Sequence, residues 1–155
     1  MGIKPQISTE KFSKKEASGY ANKCQFPQTN VFSLKNIVQS KTFSFEYFDK
    51  AKSDLQEAII QCLNKLQEMS KCSLQELYNK GKQNGGIEPL AFSEFTEQFR
   101  NAVRKVETIS DDEKLYVIRF NSQKYRMILR RGSKCRRVLN ILGFEFKLGT
   151  AYRHN

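Results

Sequence analysis

Two periodicities of hydrophobic residues divide the middle of the chain into predicted secondary structure. Residues 42–48 alternate apolar and polar side chains, with Phe43, Phe45 and Tyr47 on one side, which is typical of a first β-strand. After that segment the apolar spacing changes to three and four residues, which predicts an amphipathic α-helix. The apolar positions of this helix are Leu55, Ala58, Ile59, Cys62, Leu63, Leu66 and Met69.

Polar residues next to the apolar runs predict where helices begin. Ser53 or Asp54 fits the N-cap of the first helix, because a short oxygen-bearing side chain can accept a hydrogen bond from the first turn. Ser73 followed by Glu76 is a capping-box pattern, in which each residue satisfies the backbone of the other. A second, short helix is therefore expected over about residues 74–82.

The stretch between the helices and the late strands is less regular. Asn84-Gly85-Gly86 favours a chain reversal, because glycine adopts a positive φ without steric cost. Residues 110–114 are typical of a turn. The apolar residues Phe92, Phe95, Phe99 and Val103 mark either a third short helix or an irregular packed segment.

Three further strands are predicted near the C-terminal end, over about residues 115–120, 124–131 and 136–142. Short turns join them, so they should be antiparallel neighbours. A last segment, Phe144–Leu148, is flanked by glycines. The element order predicts an α+β fold in which an antiparallel sheet of about four strands is covered by an N-terminal helical pair. The other face of the sheet is expected to hold Arg and Tyr.

The first 40 residues are rich in Lys, Ser, Gln and Asn and have little periodicity. They are interpreted as an irregular basic arm, in which the short apolar pieces at residues 31–34 and 37–38 can dock on a core. Residues 41–155 are interpreted as a single α+β domain.

The positive charge of the chain is concentrated at one end. The formal net charge is +11. Residues 114–155 hold eleven Lys and Arg against one acid, Glu145, whereas the remaining chain holds sixteen basic residues against fifteen acidic ones. Basic side chains held on strands and turns favour a polyanionic partner, most plausibly a nucleic acid. The candidate nucleic-acid-binding residues are Arg119, Arg130, Arg131, Lys134, Arg136 and Arg137.

The composition argues against several other classes of protein. No apolar run approaches the roughly 18–20 residues of a membrane-spanning helix. The four cysteines have no CxxC spacing and there is one histidine, so no zinc site or other metal or cofactor is expected. Free thiols and the lack of a secretory pattern predict a cytoplasmic protein.

Three short motifs resemble the RelE/ParE superfamily of bacterial toxins, particularly its small ribosome-dependent mRNA endonucleases. Gly86-Ile-Glu-Pro-Leu90 is similar to a Pro-Glu-Pro-Leu stretch that follows the helical hairpin in one subfamily. Tyr125-Arg-Met-Ile128 is similar to the strand that carries a catalytic arginine. Ala151-Tyr-Arg-His154 is similar to an Arg-Tyr-His-Tyr ending.

The resemblance implies RNA cleavage without metal, on the ribosome, by a protein that an acidic antitoxin inhibits. Glu88 would act as the general base and His154 as the general acid. Arg126 would stabilise the charge on the phosphate, and Tyr152 would orient or stack on a nucleotide. The ordinary alternatives are a solvated carboxylate, a surface ion pair, an unordered histidine and a packing tyrosine.

Other functions remain open from the sequence. The chain could be a non-catalytic nucleic-acid- or protein-binding module from a mobile element. It could also be related to the gyrase-inhibiting ParE branch, in which the fold is kept without the nuclease residues. Whether it is an enzyme at all is left undecided by the residues.

Overall fold

The chain folds around a five-stranded β-sheet in a computed structural model that describes residues 29–154. The strands lie in the order β1-β5-β4-β3-β2, with β1 parallel to β5 and every other neighbouring pair antiparallel. Their bounds are β1 Val31–Ser33, β2 Ile87–Ala91, β3 Lys114–Phe120, β4 Tyr125–Arg131 and β5 Val138–Glu145.

Three α-helices pack against this sheet: α1 Lys52–Ser70, α2 Leu74–Lys80 and α3 Glu97–Arg104. Short 3-10 helices occupy Phe45–Phe48, Lys82–Asn84 and Phe92–Glu94. The capping box of α2 is confirmed, since Glu76 accepts from the Ser73 backbone at 2.6 Å and Ser73 accepts from the Glu76 backbone at 3.2 Å. The predicted cap of α1 is wrong, because that helix begins at Lys52 and its N-cap residue, Ala51, has no side-chain hydrogen bond.

The α+β class is confirmed, but the sheet differs from the expected antiparallel sheet of four strands. Residues 87–91 form an edge strand that the sequence pattern did not reveal, since Pro89 is a poor strand former that an edge tolerates. Residues 31–33 add the parallel strand at the opposite edge. The expected irregular arm therefore contributes to the sheet at this point, and its residues 1–28 lie outside the described residues.

The expectation of a first strand over residues 42–48 is wrong. This segment forms turns and a 3-10 helix, which Ser44 caps. Its aromatic side chains serve opposite sides of the sheet instead of one face: Phe43 is buried with the α3 side, while Phe48 is buried with the α1 side. The aromatic residues therefore belong to a segment that crosses from one side of the sheet to the other beside the edge of β5, where Phe144 N–H donates to the Phe43 carbonyl.

Both faces of the sheet are covered. The face opposite α1 and α2 holds Arg residues, as expected, but the strand tyrosines Tyr116 and Tyr125 lie on the α1 side instead. One face packs on α1 and α2 through residues that include Ile118, Met127 and Leu129. The opposite face packs on α3 and on the segment before α1, through Val117 and Ile128 among others. The charged side chains of this second face lie at its two ends. Arg119 and Arg126 lie at one end, and Arg130 lies at the other.

The last predicted segment is part of β5. A register shift between Ile128 and Leu129 allows β5 to continue past Gly143. A Cβ atom at Gly143 would lie 3.1 Å from the Phe43 carbonyl oxygen and 3.1 Å from Val38. The glycine therefore permits close packing of the segment that covers this face, instead of ending the strand.

The turn between β3 and β4 has an unusual backbone. The predicted turn residues Asn121, Ser122 and Gln123 all have positive φ, at 50°, 51° and 67°. Each non-glycine residue in this region costs roughly 1–2 kcal/mol of backbone free energy. Contacts around the turn therefore stabilise a backbone conformation that its own residues do not favour.

No helix within residues 29–154 is long and apolar enough to cross a membrane.

Replacing Ser122 by glycine should stabilise the protein. Ser122 is exposed and has positive φ, so glycine removes steric strain without removing a buried contact. We expect the free energy of unfolding to rise by roughly 1 kcal/mol in urea denaturation. Ser122→Ala is the matched control, because alanine keeps the Cβ atom and should give no such gain. An equal gain with alanine would contradict the strain argument.

Candidate functional site

Charged residues from three neighbouring strands meet at the end of the sheet where β3 ends and β4 begins. Arg119 on β3 is directly opposite Arg126 on β4, and Arg126 is directly opposite Glu145 on β5. Two like charges in cross-strand register are destabilising unless acids lie beside them. Here Glu88 of β2 lies 3.9 Å from the Arg119 guanidinium, and Glu145 lies 3.8 Å from that of Arg126.

Glu145 is the buried acid that organises this end. Its side chain is fully buried. Oε1 accepts hydrogen bonds from the backbone N–H groups of Gly149 at 3.1 Å and Ala151 at 3.0 Å. Oε2 lies 2.8 Å from Nε2 of His154. The carboxylate therefore folds residues 149–154 back over the end of the sheet and holds the histidine ring through one nitrogen.

Arg126 lies inside the protein and does not face the solvent. It is 6% exposed. Its Nη1 donates to the backbone carbonyls of Gln123 at 3.0 Å and Lys124 at 3.2 Å. These bonds tie the arginine to the strained turn, so its side chain positions the turn and Glu145.

The C-terminal segment is fixed to α3 as well as to Glu145. Tyr152 forms a β-bridge with Phe95, and the Thr96 hydroxyl donates to the Thr150 carbonyl at 2.7 Å. The Tyr152 ring lies 4.2 Å from the ring of His154, centroid to centroid. Burial raises the pKa of Tyr152, and the nearby Arg126 guanidinium opposes this shift. Tyr152 is thus a neutral, buried hydroxyl that supports the histidine ring.

These side chains surround a cavity of about 270 Å³, which we call the central cavity. Its charged and aromatic walls are formed by Lys82, Glu88, Glu94, Arg119, Tyr152, Arg153 and His154. Lys82 forms a 2.8 Å ion pair with Glu88, so that carboxylate has a cation on each side. The central cavity therefore combines an acid, a histidine and several cations in one place.

Two further cavities adjoin the central cavity. An outer cavity of about 660 Å³ shares Glu94 and Arg153 with it and extends along the start of α3 to Arg100. A third space of about 230 Å³ shares Arg119 and extends towards α1. We call the third space the amide cavity, because Gln61, Asn64, Asn121 and Gln123 line it. The central cavity therefore shares wall residues with each of its two neighbours.

Buried polar atoms without hydrogen-bond partners are concentrated at this end. Within residues 29–154 they are Arg100 Nε, Arg119 Nε, Asn121 Nδ2, Arg126 Nε and Tyr152 Oη. Four of these residues line the three cavities, and Arg126 is paired with Glu145 beside them. A buried polar group without a partner costs about 1–3 kcal/mol, so water or a ligand in these cavities would stabilise this end of the protein.

The structure brings five of the ten sequence-predicted site residues together. Glu88, Tyr152, His154 and Arg119 line the central cavity. Arg126 is adjacent to them but buried. Sequence reasoning missed the contributions of Lys82, Arg153 and Glu145. The single acid of the basic C-terminal region, Glu145, was a signal that could have identified the last of these.

Arg130 lies away from the cavity in a network of intramolecular ion pairs. Its Nε is 2.6 Å from Glu113 and its Nη1 is 2.7 Å from Glu107. These carboxylates raise the pKa of Arg130, chiefly through the hydrogen bonds with Glu113. A guanidinium with two carboxylate partners has little capacity left for a phosphate. Arg130 therefore joins β4 to the segment after α3.

The remaining predicted basic residues lie at the opposite end of the sheet. Arg131, Lys134 and Arg136 are exposed in the turn between β4 and β5, and Arg137 lies partly buried beside them. Arg126 and Arg131 are five positions apart along β4, which corresponds to about 17 Å. Within residues 29–154, no carboxylate forms an ion pair with the three exposed side chains of this basic turn.

No metal-binding cluster is formed by the described residues, in which no three His, Cys, Asp or Glu side chains are grouped. The cysteines Cys62 and Cys72 are free thiols, and Cys24 lies outside the described residues. Burial raises the pKa of Cys62 to about 12, so this thiol is protonated and inert at neutral pH.

Loss of the Glu145 charge should destabilise the protein strongly. Glu145→Gln leaves Arg126 buried without its carboxylate, which we expect to lower the free energy of unfolding by about 3 kcal/mol. Urea denaturation followed by circular dichroism measures this. Glu57→Gln, an exposed residue on α1, is the matched control and should change stability by under about 0.5 kcal/mol. Equal stability of the two variants would show that the buried carboxylate does not organise this end.

Comparison of the chain with protein-family models, with curated proteins and with solved structures found no match.

Proposed function

We propose that this protein binds RNA and cleaves it without metal, by attack of the 2′-hydroxyl on the adjacent phosphate. The observation that supports this most directly is the convergence of Glu88, Arg119 and His154 on one cavity. A carboxylate, a guanidinium and an imidazole together supply a base, a phosphate ligand and an acid. The resemblance of three sequence motifs to those of RelE-like endonucleases is a second ground for the proposal.

In the proposed reaction the Glu88 carboxylate accepts the proton of the 2′-hydroxyl as its oxygen bonds to phosphorus. The bond from phosphorus to the 5′-oxygen breaks, and protonated His154 donates a proton to that oxygen. The products are a 2′,3′-cyclic phosphate and a 5′-hydroxyl. Because Glu145 occupies Nε2 of His154, the proton is delivered from Nδ1.

The phosphate ligand in this proposal is Arg119. Arg126 is buried and bonded to backbone carbonyls, whereas Arg119 lines both the central and the amide cavity. Arg126 then acts as a positioning residue, through Glu145 and the turn at residues 121–124. Tyr152 is too buried to stack on a base, so its role is to support His154 through ring contact.

The basic turn at residues 131–137 would guide RNA to the protein. Arg131, the first of its exposed cations, lies about 17 Å from Arg126 along β4, a distance that a few nucleotides can span. Positive charge that is not neutralised locally attracts phosphates over about a Debye length, roughly 8 Å at physiological salt. This surface therefore suits non-specific contact with the RNA backbone.

A cytoplasmic location, ribosome-bound mRNA as the substrate and an acidic antitoxin as the inhibitor complete this proposal. The alternative is a binding module without catalysis, including a gyrase-inhibiting relative. Burial of Arg126 favours the alternative, since it removes the arginine that the RelE resemblance assigns to the phosphate.

Removal of the proposed base or acid should abolish cleavage but leave binding. For Glu88→Gln and for His154→Gln we expect the cleavage rate of a single-stranded RNA to fall at least about 100-fold, with Kd changed by less than about 3-fold. Cleavage is measured with labelled RNA in EDTA, and mass spectrometry identifies the cyclic phosphate.

Glu57→Gln is the control for both variants and should cleave at the normal rate. RNA binding without any cleavage by the unmodified protein would favour the binding module. Cleavage of the matching DNA oligonucleotide would contradict the 2′-hydroxyl mechanism.

Neutralising the basic turn should reduce the salt dependence of RNA binding. For Lys134→Gln with Arg136→Gln, the slope of log K against log salt should become less steep by about 1.4, because each phosphate contact on a single strand contributes about 0.7. Lys52→Gln with Lys71→Gln, at the two ends of α1, removes the same charge as a control. Identical slopes for the two double variants would reject the basic turn as an RNA contact.

A further inference from the structure

The amide cavity contains an unusual concentration of side-chain amides. Gln61 and Asn64 extend from consecutive turns of α1, and Asn121, Ser122 and Gln123 come from the turn between β3 and β4. Each amide presents one acceptor and two donors, whereas only a few of these groups have partners within the protein. Asn121 Nδ2 is buried without any partner. Gln123 and the Lys65–Glu68 ion pair have partners within the protein. Gln61, Asn64 and Asn121, by contrast, leave hydrogen-bonding capacity in the wall of the cavity.

Arg119 joins the amide cavity to the central cavity. Its Nη1 donates to Oε1 of Gln123 at 3.0 Å and to Oε1 of Gln83 at 3.4 Å. Gln123 in turn donates to the Gln83 carbonyl at 3.5 Å. A phosphate bound by Arg119 would thus have the amide of Gln123 directly beside it. One nucleotide unit is the natural spacing between a phosphate there and a base in the amide cavity.

The backbone of the turn supports a binding role for these residues. Asn121, Ser122 and Gln123 hold positive φ despite its cost, and Arg126 fixes the turn through two carbonyls. Strain of this kind persists where surrounding contacts hold side chains in a required arrangement. The turn and α1 thereby both contribute amides to the wall of the amide cavity.

We propose that the amide cavity binds one nucleobase of the RNA, next to the scissile phosphate, and that it prefers adenine. Its volume of about 230 Å³ is several times the roughly 30 Å³ that a water molecule occupies in the liquid, which is enough for a planar ring system. Asn and Gln amides pair bidentately with the N6 and N7 atoms of adenine. The aromatic wall residue, Phe120, is buried, so the base is read by hydrogen bonds instead of stacking.

This inference rests on the RNA binding proposed above, and binding to uncleavable RNA tests it. The probes are short, fluorescein-labelled 2′-O-methyl oligonucleotides of uridine in which one central position is A, G, C or U. Fluorescence anisotropy gives the Kd of each. The adenine probe should bind about 10-fold more tightly than the all-uridine probe.

Gln61→Ala and Asn64→Ala should reduce this preference for adenine to less than about 2-fold. Both positions lie on the surface of α1, where alanine favours the helix, so folding should be preserved. Gln67→Ala, on the same helix but outside the cavity, is the matched control and should retain the full preference.

Equal Kd values for the four probes, or an adenine preference that survives Gln61→Ala and Asn64→Ala, would overturn base recognition by the amide cavity while leaving RNA binding intact. Failure of all four probes to bind would overturn the proposed function as well. The two proposals therefore fail in distinguishable ways.

Discussion

A single buried carboxylate holds the functional end of this molecule together. Glu145 is the last residue of β5, and its side chain accepts hydrogen bonds from two backbone N–H groups of the segment that follows. The same side chain contacts both His154 and Arg126. Burial of a charge is tolerated only when hydrogen bonds and opposite charges replace its hydration. The Glu145 carboxylate thus fixes the C-terminal segment, Arg126 and His154. The geometry of the central cavity therefore depends on this carboxylate more than on any local preference of the chain.

The local elements of the fold could be predicted from the sequence because their signals are local. The three- and four-residue spacing of α1, the capping box of Ser73 and Glu76 and the turn at residues 121–123 depend on neighbours in the chain. Residues 31–33 and 87–91 carry no comparable signal, since each becomes a strand only by pairing with a distant partner. The prediction for residues 42–48 failed for a different reason. Aromatic and polar residues do alternate there, but the aromatic side chains enter cores on opposite sides of the sheet.

The candidate site was predictable in its members but not in their roles. Resemblance identified Glu88, Tyr152 and His154, and these do converge. No pattern in one chain distinguishes an arginine that faces solvent from one that is buried. Arg119, Arg126 and Arg130 share one face of the sheet, yet one lines a cavity, one is enclosed by carbonyls and one binds two carboxylates. The acids beside Arg119 and Arg130 come from distant parts of the chain, whereas the carbonyls that bind Arg126 come from the adjacent turn.

The place of β5 in the sheet has a consequence for the order of folding. This strand lies between β1 and β4, and its pairing with β1 joins residues more than 100 positions apart. It also supplies Leu139, Ile141 and Phe144 to one core and Leu142 to the other. Contacts of such long range close large loops and form slowly. During synthesis, α1 and α2 emerge long before the strand that completes their core, so the nascent chain must carry uncovered apolar surface until residues 138–146 have left the ribosome.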